Sequence, residues 1–237
     1  GGTIGDIESA PYMEAIRQLK WELGKNALNV HLTYVPYLAA AGELKTKPTQ
    51  HSVKDLLQQG VQPDIIVCRT EHELTESVRD KISLFCNIDR ASVIQSIDAP
   101  TIYEVPFNML KEGLDIQVLK KLGISAKGEP DLEKWRSFLY RLKNPLSEVN
   151  IGLVGKYVEL KDAYKSISEA FIHAAAATQC RVKIRWVHSE KLEDEPEKID
   201  EYLGGLNGIL VAPGFGSRGI EGKIMAVRYA REKGIPF

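Results

Sequence analysis

Residues 64–69 read DIIVCR, four consecutive apolar side chains held between an acid and a base. So short and so apolar a run predicts a strand buried on both faces, the mark of a parallel sheet. Its carboxyl end is Arg69, and ligands gather beyond the carboxyl ends of parallel strands. Outward from this strand, helical and strand patterns alternate. Upstream, Tyr12, Ala15, Ile16, Leu19 and Leu23 fall on one helical face, with Pro11 near the start and Gly24 as a stop. A strand is expected at Leu28 to Val35, and a helix after Pro48 that ends at Gly60. Downstream, Thr75 caps a helix carrying Val78, Ile82 and Phe85, and Val93 to Ile97 reads as a further strand with Asp98 just past its end. This is the order of an α/β fold.

Residues 104–144 lose the strand signal and read as short helices separated by Gly113, Gly123 and the KGEPD turn, closing at Asn144-Pro145. The expected domains are therefore 1–145 and 146–237. In the second, Val149 to Val154 makes a strand, Asp162 to Ala177 the crossover helix, RVKIRWVHS a second strand and GILVAPGFG a third. A helix with Ile224, Val227 and Ala230 follows, and Ile235 to Phe237 reads as the start of a fourth strand. A first residue that is Gly1 and a last that falls in mid-fold predict a piece of a longer chain, with apolar strand edges left uncovered.

With 31 basic and 32 acidic residues the net charge is −1, so no global field recruits nucleic acid or an anionic membrane. Any phosphate site is local. Cys68, Cys86 and Cys180 form no CxxC or metal spacing, which predicts reduced thiols and a cytoplasmic location. The longest uncharged run, Asn26 to Gly42, contains Asn, His, Thr and Pro, whereas a membrane span needs about 20 mostly apolar residues.

The local phosphate candidate is KTKPTQHSV, residues 45–53. In an extended segment Lys45 and Lys47 project to one side, and Pro48 turns the chain into a helix whose positive end carries Thr49 and Gln50. Unpaired helix amides beside two ammonium groups attract phosphate. A solvated Lys-rich turn is the plainer description of the same residues. Ahead of the first helix, GGTIGDIES offers Asp6 and Glu8 to a base amino group or a magnesium ion, or simply to the positive end of that helix. Lys81 and Phe85 lie one turn apart, a cation and an aromatic plate that suit a nucleotide, or else a snorkelling lysine over a core ring. The GFGSRG turn at 214–219 could turn free amides towards an oxyanion, a weak signal alone. No Cys stands in a nucleophile elbow, and the five histidines have no metal-like spacing.

Taken together and in order, GGTIGDIES, HLTYVPYLAAAGELKTKPTQHSV, PDIIVCR, KISLFCN, IGLVGKYVELKDAYKSISEA and VAPGFGSRGIEGKI resemble the CTP synthase family over essentially the whole chain. The resemblance implies a P-loop-type, dethiobiotin-synthetase-like domain followed by the first part of a flavodoxin-like class I glutamine amidotransferase domain. It implies ATP-dependent phosphorylation of UTP at O4 and displacement by glutamine-derived ammonia. Magnesium, activation by GTP, inhibition by CTP and a homotetramer belong to the same expectation. On matching positions it assigns Asp6, Ile7 and Glu8 to the product-side pyrimidine site. Lys45, Thr46, Lys47, Pro48, Thr49, Gln50 and Lys81, with Phe85 beside them, go to the shared UTP and CTP site, Lys45 and Lys47 also serving the transferring phosphoryl group. Ile97, Asp98 and Ala99 match the adenine-binding strand end, with Arg69 near the ATP entrance. Gly214 matches the glutamine-binding, oxyanion glycine, and Arg218 with Glu221 the lid linked to GTP.

Two departures stand out. Family members often carry PGGFG, and Pro213 here replaces the first of those glycines, removing one amide donor. The P-loop and the magnesium ligands are expected upstream of Gly1, and the glutaminase Cys, His and Glu beyond Phe237, so this piece alone is expected to catalyse neither reaction. Two alternatives compete: another amidoligase–amidotransferase such as a cobyrinate amidase, and a non-catalytic nucleotide-binding or assembly module.

Overall fold

The computed structural model describes residues 3–237, which divide into two compact units, Gly1–Pro130 and Asp131–Phe237. The first contains α1 (Ala10–Leu23), β1 (Val30–Tyr34), a two-strand hairpin of β2 (Tyr37–Leu38) and β3 (Glu43–Leu44), α2 (Lys47–Gln58), β4 (Ile65–Thr70), α3 (Glu76–Cys86), β5 (Val93–Ile97), α4 (Val105–Lys111) and α5 (Leu114–Leu122). β1, β4 and β5 form a parallel sheet with β4 in the middle, in register Leu32↔Val67↔Ile94. DIIVCR is thus the central strand, and only Arg69 within β4 is exposed.

The two faces of β4 bury different clusters. Ile66 and Cys68 pack with Val35, Val53, Ile82 and Cys86 under α2 and α3, while Ile65, Val67 and Ile94 pack with Met109, Leu114 and Val118 of α4 and α5. Asp64 fixes the entrance to the sheet, accepting from Lys20 Nζ at 2.9 Å and from the Asn29 amide at 2.7 Å. Coverage stops at the edge strand: Leu32 of β1 is 66 % exposed. Helix α1 starts and stops where Pro11 and Gly24 place it yet buries none of its residues: Ile16 and Leu19 line a cavity of about 440 Å3 with Leu28, Val30, Leu56 and Val61, while Tyr12 and Leu23 are exposed.

Both thiols in the sheet-and-helix core are silenced by burial, which pushes Cys68 up to about 12 and Cys86 to about 11. Because the thiolate is the reactive form, iodoacetamide at about pH 8 is expected to label the half-buried Cys180 alone in the native protein. Intact-mass measurement should show a single adduct, rising to three on denaturation; native labelling of Cys68 would contradict this core.

The second unit contains α6 (Glu133–Lys143), β6 (Ser147–Gly155), α7 (Lys165–Thr178), β7 (Cys180–His188), α8 (Ser189–Asp194), α9 (Ile199–Leu203), β8 (Gly208–Val211) and α10 (Ile220–Lys233). The Asn144-Pro145 break falls between α6 and β6, and α6 lies in the second compact unit. Its sheet is parallel with β6 between β7 and β8. Leu153, Tyr164 and Ala212 form one core with Phe171 of α7; Val154, Val187, Leu203, Ile209 and Ala226 form the other beneath α8, α9 and α10. The expected fourth strand at Ile235 to Phe237 is corrected: those residues are irregular, tied to β8 through Ile209 N donating to Pro236 O at 2.9 Å. Three residues with one such bond make no ladder.

Candidate functional site

In the first unit the parallel strands bring Tyr34, Arg69 and Asp98 to one edge of the sheet. Tyr34 Oη donates to Glu71 Oε1 at 2.8 Å, and Arg69 Nε to Asp98 Oδ1 at 3.0 Å. Arg69 and Asp98 are exposed, with Ile97 and Ala99 half-buried beside them. The same edge receives α2, because Thr49, fully buried, donates to Tyr34 O at 3.2 Å and to Thr33 Oγ1 at 3.1 Å. That anchor fixes where the helix begins.

The KTKPTQ segment differs from its expected conformation. Thr46 is helical (φ −86°, ψ −14°) and Lys47 is already the first residue of α2, so the two lysines are not alternate residues of an extended stretch. Lys45 follows β3, its amide donating to Pro36 O at 2.9 Å and its ammonium pairing with Glu43. Lys47 is exposed and has no ion pair among the described residues. Gln50 Nε2 donates to Thr46 Oγ1 at 3.0 Å, closing the first turn from the side-chain side.

Beside this turn lies a cavity of about 520 Å3, lined among others by Tyr37, Glu43, Thr46, His72, Thr75 and Lys81. Glu43 is held below the usual carboxylate range, chiefly by its hydrogen bond and charge interaction with Lys45, with Lys81 adding to the pull. Lys81 and Thr46, the residue before α2, thus line the cavity, while Lys45 reaches it only through its pair with Glu43. Phe85 does not line it and is 53 % exposed. The aromatic wall is instead Tyr37 against His72, ring centroids 4.1 Å apart. Tyr37 and Glu43 sat within the quoted family stretch, but a two-residue strand carries no periodic signal by which to place them.

Asp6, Ile7 and Glu8 lie in the exposed loop before α1, where Asp6 Oδ2 accepts from Thr3 N at 2.8 Å. No hydrogen bond or ion pair joins them to the lysine segment among the described residues. Gly1 and Gly2 of the same motif lie outside the described residues. Among those described, no group of three or more His, Cys, Asp or Glu side chains is arranged to hold a metal ion.

In the second unit Gly214 follows β8, on the same sheet edge as Lys156 after β6. With the order β7-β6-β8, the crevice between β6 and β8 is the point where the chain reverses its direction of winding, the usual ligand position in such sheets. A Cβ on residue 214 would lie 2.6 Å from Lys156 Cε, so a larger residue there would displace the Lys156 side chain. Lys223 also approaches, and burial followed by the Lys156 charge lowers its ammonium's affinity for a proton. Arg218 forms an ion pair with Glu190, Nη1 to Oε1 at 2.7 Å, and its guanidinium lies over the Tyr157 ring, 5.9 Å from the centroid. Glu221 is exposed in the first turn of α10, and no bond joins it to Arg218 among the described residues. Sequence reading assigned Lys156 no role.

The chain is therefore a two-unit α/β protein, one unit with a cavity lined by Lys81 beside a helix start and the other with a glycine turn at a sheet switch point. A family model described as CTP synthase N-terminus matches residues 1–124, and one described as glutamine amidotransferase class-I matches residues 159–237. The chain belongs to the CTP synthase family. It is 63 % identical over 238 residues to the CTP synthase of Flavobacterium johnsoniae and 64 % identical over 238 residues to that of Cytophaga hutchinsonii, in each case along 100 % of this chain and 44 % of the relative. The CTP synthase of Methanocaldococcus jannaschii is 58 % identical over 242 residues, covering 100 % of this chain and 45 % of its own. The chain thus spans less than half the length of these curated relatives.

Proposed function

We propose that this chain is part of an enzyme that uses ATP to aminate UTP to CTP with ammonia taken from glutamine. The observation that carries the reading is the cavity at the start of α2, where Lys81 and Thr46 line the wall and Lys45 is paired at its rim with Glu43. A triphosphate entering there exchanges for the Glu43 carboxylate as the partner of Lys45. Lys47, unpaired on the first turn, adds a second cation, and Thr49 with Gln50 hold the helix start that presents its amides to the anion. In phosphoryl transfer such groups act by offsetting charge on the moving oxygens. Asp6, Ile7 and Glu8 are assigned to the pyrimidine product and Phe85 to the rim of the same site. Arg69, Ile97, Asp98 and Ala99 are assigned to ATP at the edge of the first sheet.

Gly214 is assigned to glutamine and its oxyanion; Pro213 offers no amide, so donors must come from the residues after it. Arg218 and Glu221 are assigned to the response to GTP. Magnesium would neutralise phosphate charge during ATP use, but the residues described here form no site for it, and none is assigned to it. A homotetramer in the cytoplasm completes the proposal, with the partly exposed apolar stripe of α1 as a surface suited to a second copy.

Equilibrium binding tests the nucleotide assignment. UTP and CTP are expected to bind in preference to GTP, and Lys47→Ala to weaken both about tenfold, the loss of one charge-assisted phosphate contact. Equal binding of UTP and GTP, or affinity unchanged by Lys47→Ala, would overturn the assignment, and selective binding of a cobyrinate-type corrinoid would replace it.

A further inference from the structure

Lys156 is buried where most lysines reach solvent. It is 4 % exposed, and its Nζ donates to the carbonyls of Phe215 and of Gly216, the latter at 3.1 Å. A buried ammonium persists only with acceptors in place. The backbone beneath it is fixed as well, because Tyr164 Oη accepts from the amides of Lys156 at 3.2 Å and Tyr157 at 3.3 Å. Gly155 leaves room for that hydroxyl, since a Cβ there would lie 2.4 Å from Tyr164 Oη. Contacts therefore run without a gap from Tyr164, through the turn after β6, to the turn after β8.

Peptide geometry gives this chain a consequence. In a trans peptide the C=O of one residue and the N–H of the next point in opposite directions. A cation that gathers the carbonyls of Phe215 and Gly216 thereby turns the amides of Gly216 and Ser217 away from itself. Neither amide has a hydrogen-bond acceptor among the described residues.

We propose that Lys156 is a positioning residue for the glutamine subsite, clamping the 214–217 turn so that its amides stay aimed at the oxyanion that develops on the glutamine side-chain amide. The subsite itself rests on the glutamine reading of Gly214 given above; the clamp does not. Glycine at 214 follows from the clamp, because any larger residue would push the Lys156 stem off the two carbonyls.

Backbone 15N relaxation on the 237-residue protein tests the clamp directly, since exposed amides without acceptors have no exchange protection to lose. Lys156→Met is expected to lower the order parameters of residues 215–217 from about 0.85 to below about 0.6 while β6 and β8 stay rigid, and Lys156→Arg to restore most of the loss. Order parameters unchanged at the turn overturn the proposal. Should Lys156→Met fail to fold, Gly214→Ala displaces the same side chain and is expected to give the same drop. On the whole product of the gene, Lys156→Met should lower kcat/KM for glutamine at least tenfold with ammonia-supported amination within twofold of wild type. Equal losses with both nitrogen sources would overturn it. Wild-type protein that uses ammonia but never glutamine refutes the glutamine reading instead, and the relaxation result still decides the clamp.

Discussion

Glu112→Ala is expected to cost the first unit about 3 kcal/mol, the largest single effect in that half of the chain. Glu112 follows α4 and receives Arg79 of α3 in a two-point pair, Nη1 to Oε2 at 2.9 Å and Nη2 to Oε1 at 3.2 Å. The Gln95 amide of β5 donates to the same Oε2 at 3.0 Å, while Arg79 Nη1 also donates to Val93 O at 2.9 Å. Both side chains are 18 % exposed, so little water is available to replace a missing partner. Truncation strands a guanidinium and a backbone donor together, and that desolvation exceeds the worth of the pair itself. Replacing both by apolar residues, Arg79→Met with Glu112→Leu, should recover much of the loss.

The consequence reaches the cavity. Gln95 Oε1 accepts from Leu74 N at 2.6 Å, tying the β4–α3 loop that supplies His72 and Thr75 to the cavity wall. Hydrogen exchange across β4 and β5 should therefore accelerate in Glu112→Ala, and the proposed UTP binding should weaken in parallel. Protection equal to wild type would show that the network is dispensable.

How much of this was legible beforehand depends on the range of the interaction. DIIVCR announced a central strand because burial on both faces leaves no polar position, and Thr75 marked its helix start because a cap is local: its Oγ1 accepts from Val78 N at 3.4 Å. Lys45 and Lys47 were legible as cations but not in their geometry. Their relation depends on Thr46 entering the helical region and on Glu43, a competitor that only the β2–β3 hairpin brings to Lys45. The stripe on α1 was read correctly as apolar, but periodicity identifies a face and is silent on what covers it. The same limit applies to Phe85: one turn from Lys81 is neighbourly along a helix, while the ring that lines the cavity is Tyr37, brought there by the β2–β3 hairpin. In the second unit, the Gly-rich turn was legible and its clamp was not, since Lys156 and Phe215 meet only once β6 and β8 lie side by side.

Gly222→Ala sets a local preference against a tertiary contact. In an exposed helix interior alanine is favoured over glycine by about 1 kcal/mol. Residue 222 lies in the first turn of α10, where its Cβ would sit 1.8 Å from the Ser189 carbonyl oxygen and 2.8 Å from the carbon behind it. Neither atom can swing aside as a long side chain could, because Ser189 is fully buried at the start of α8 and Gly222 N donates to Glu193 Oε1 at 2.9 Å in the same contact. The helices must separate, so overpacking wins and the substitution is expected to destabilise the second unit by about 3 kcal/mol. Urea unfolding of the second unit, followed by tryptophan fluorescence in a Trp21→Phe background that leaves Trp135 and Trp186, should show a lower midpoint, whereas Arg228→Ala, on the exposed face of α10, should change stability by less than about 0.5 kcal/mol. A midpoint raised by Gly222→Ala would mean that α8 and α10 do not meet this closely. The separation also draws Arg218 from Glu190, since one precedes α10 and the other belongs to α8. A stability loss that spares this ion pair would place the strain elsewhere in the unit.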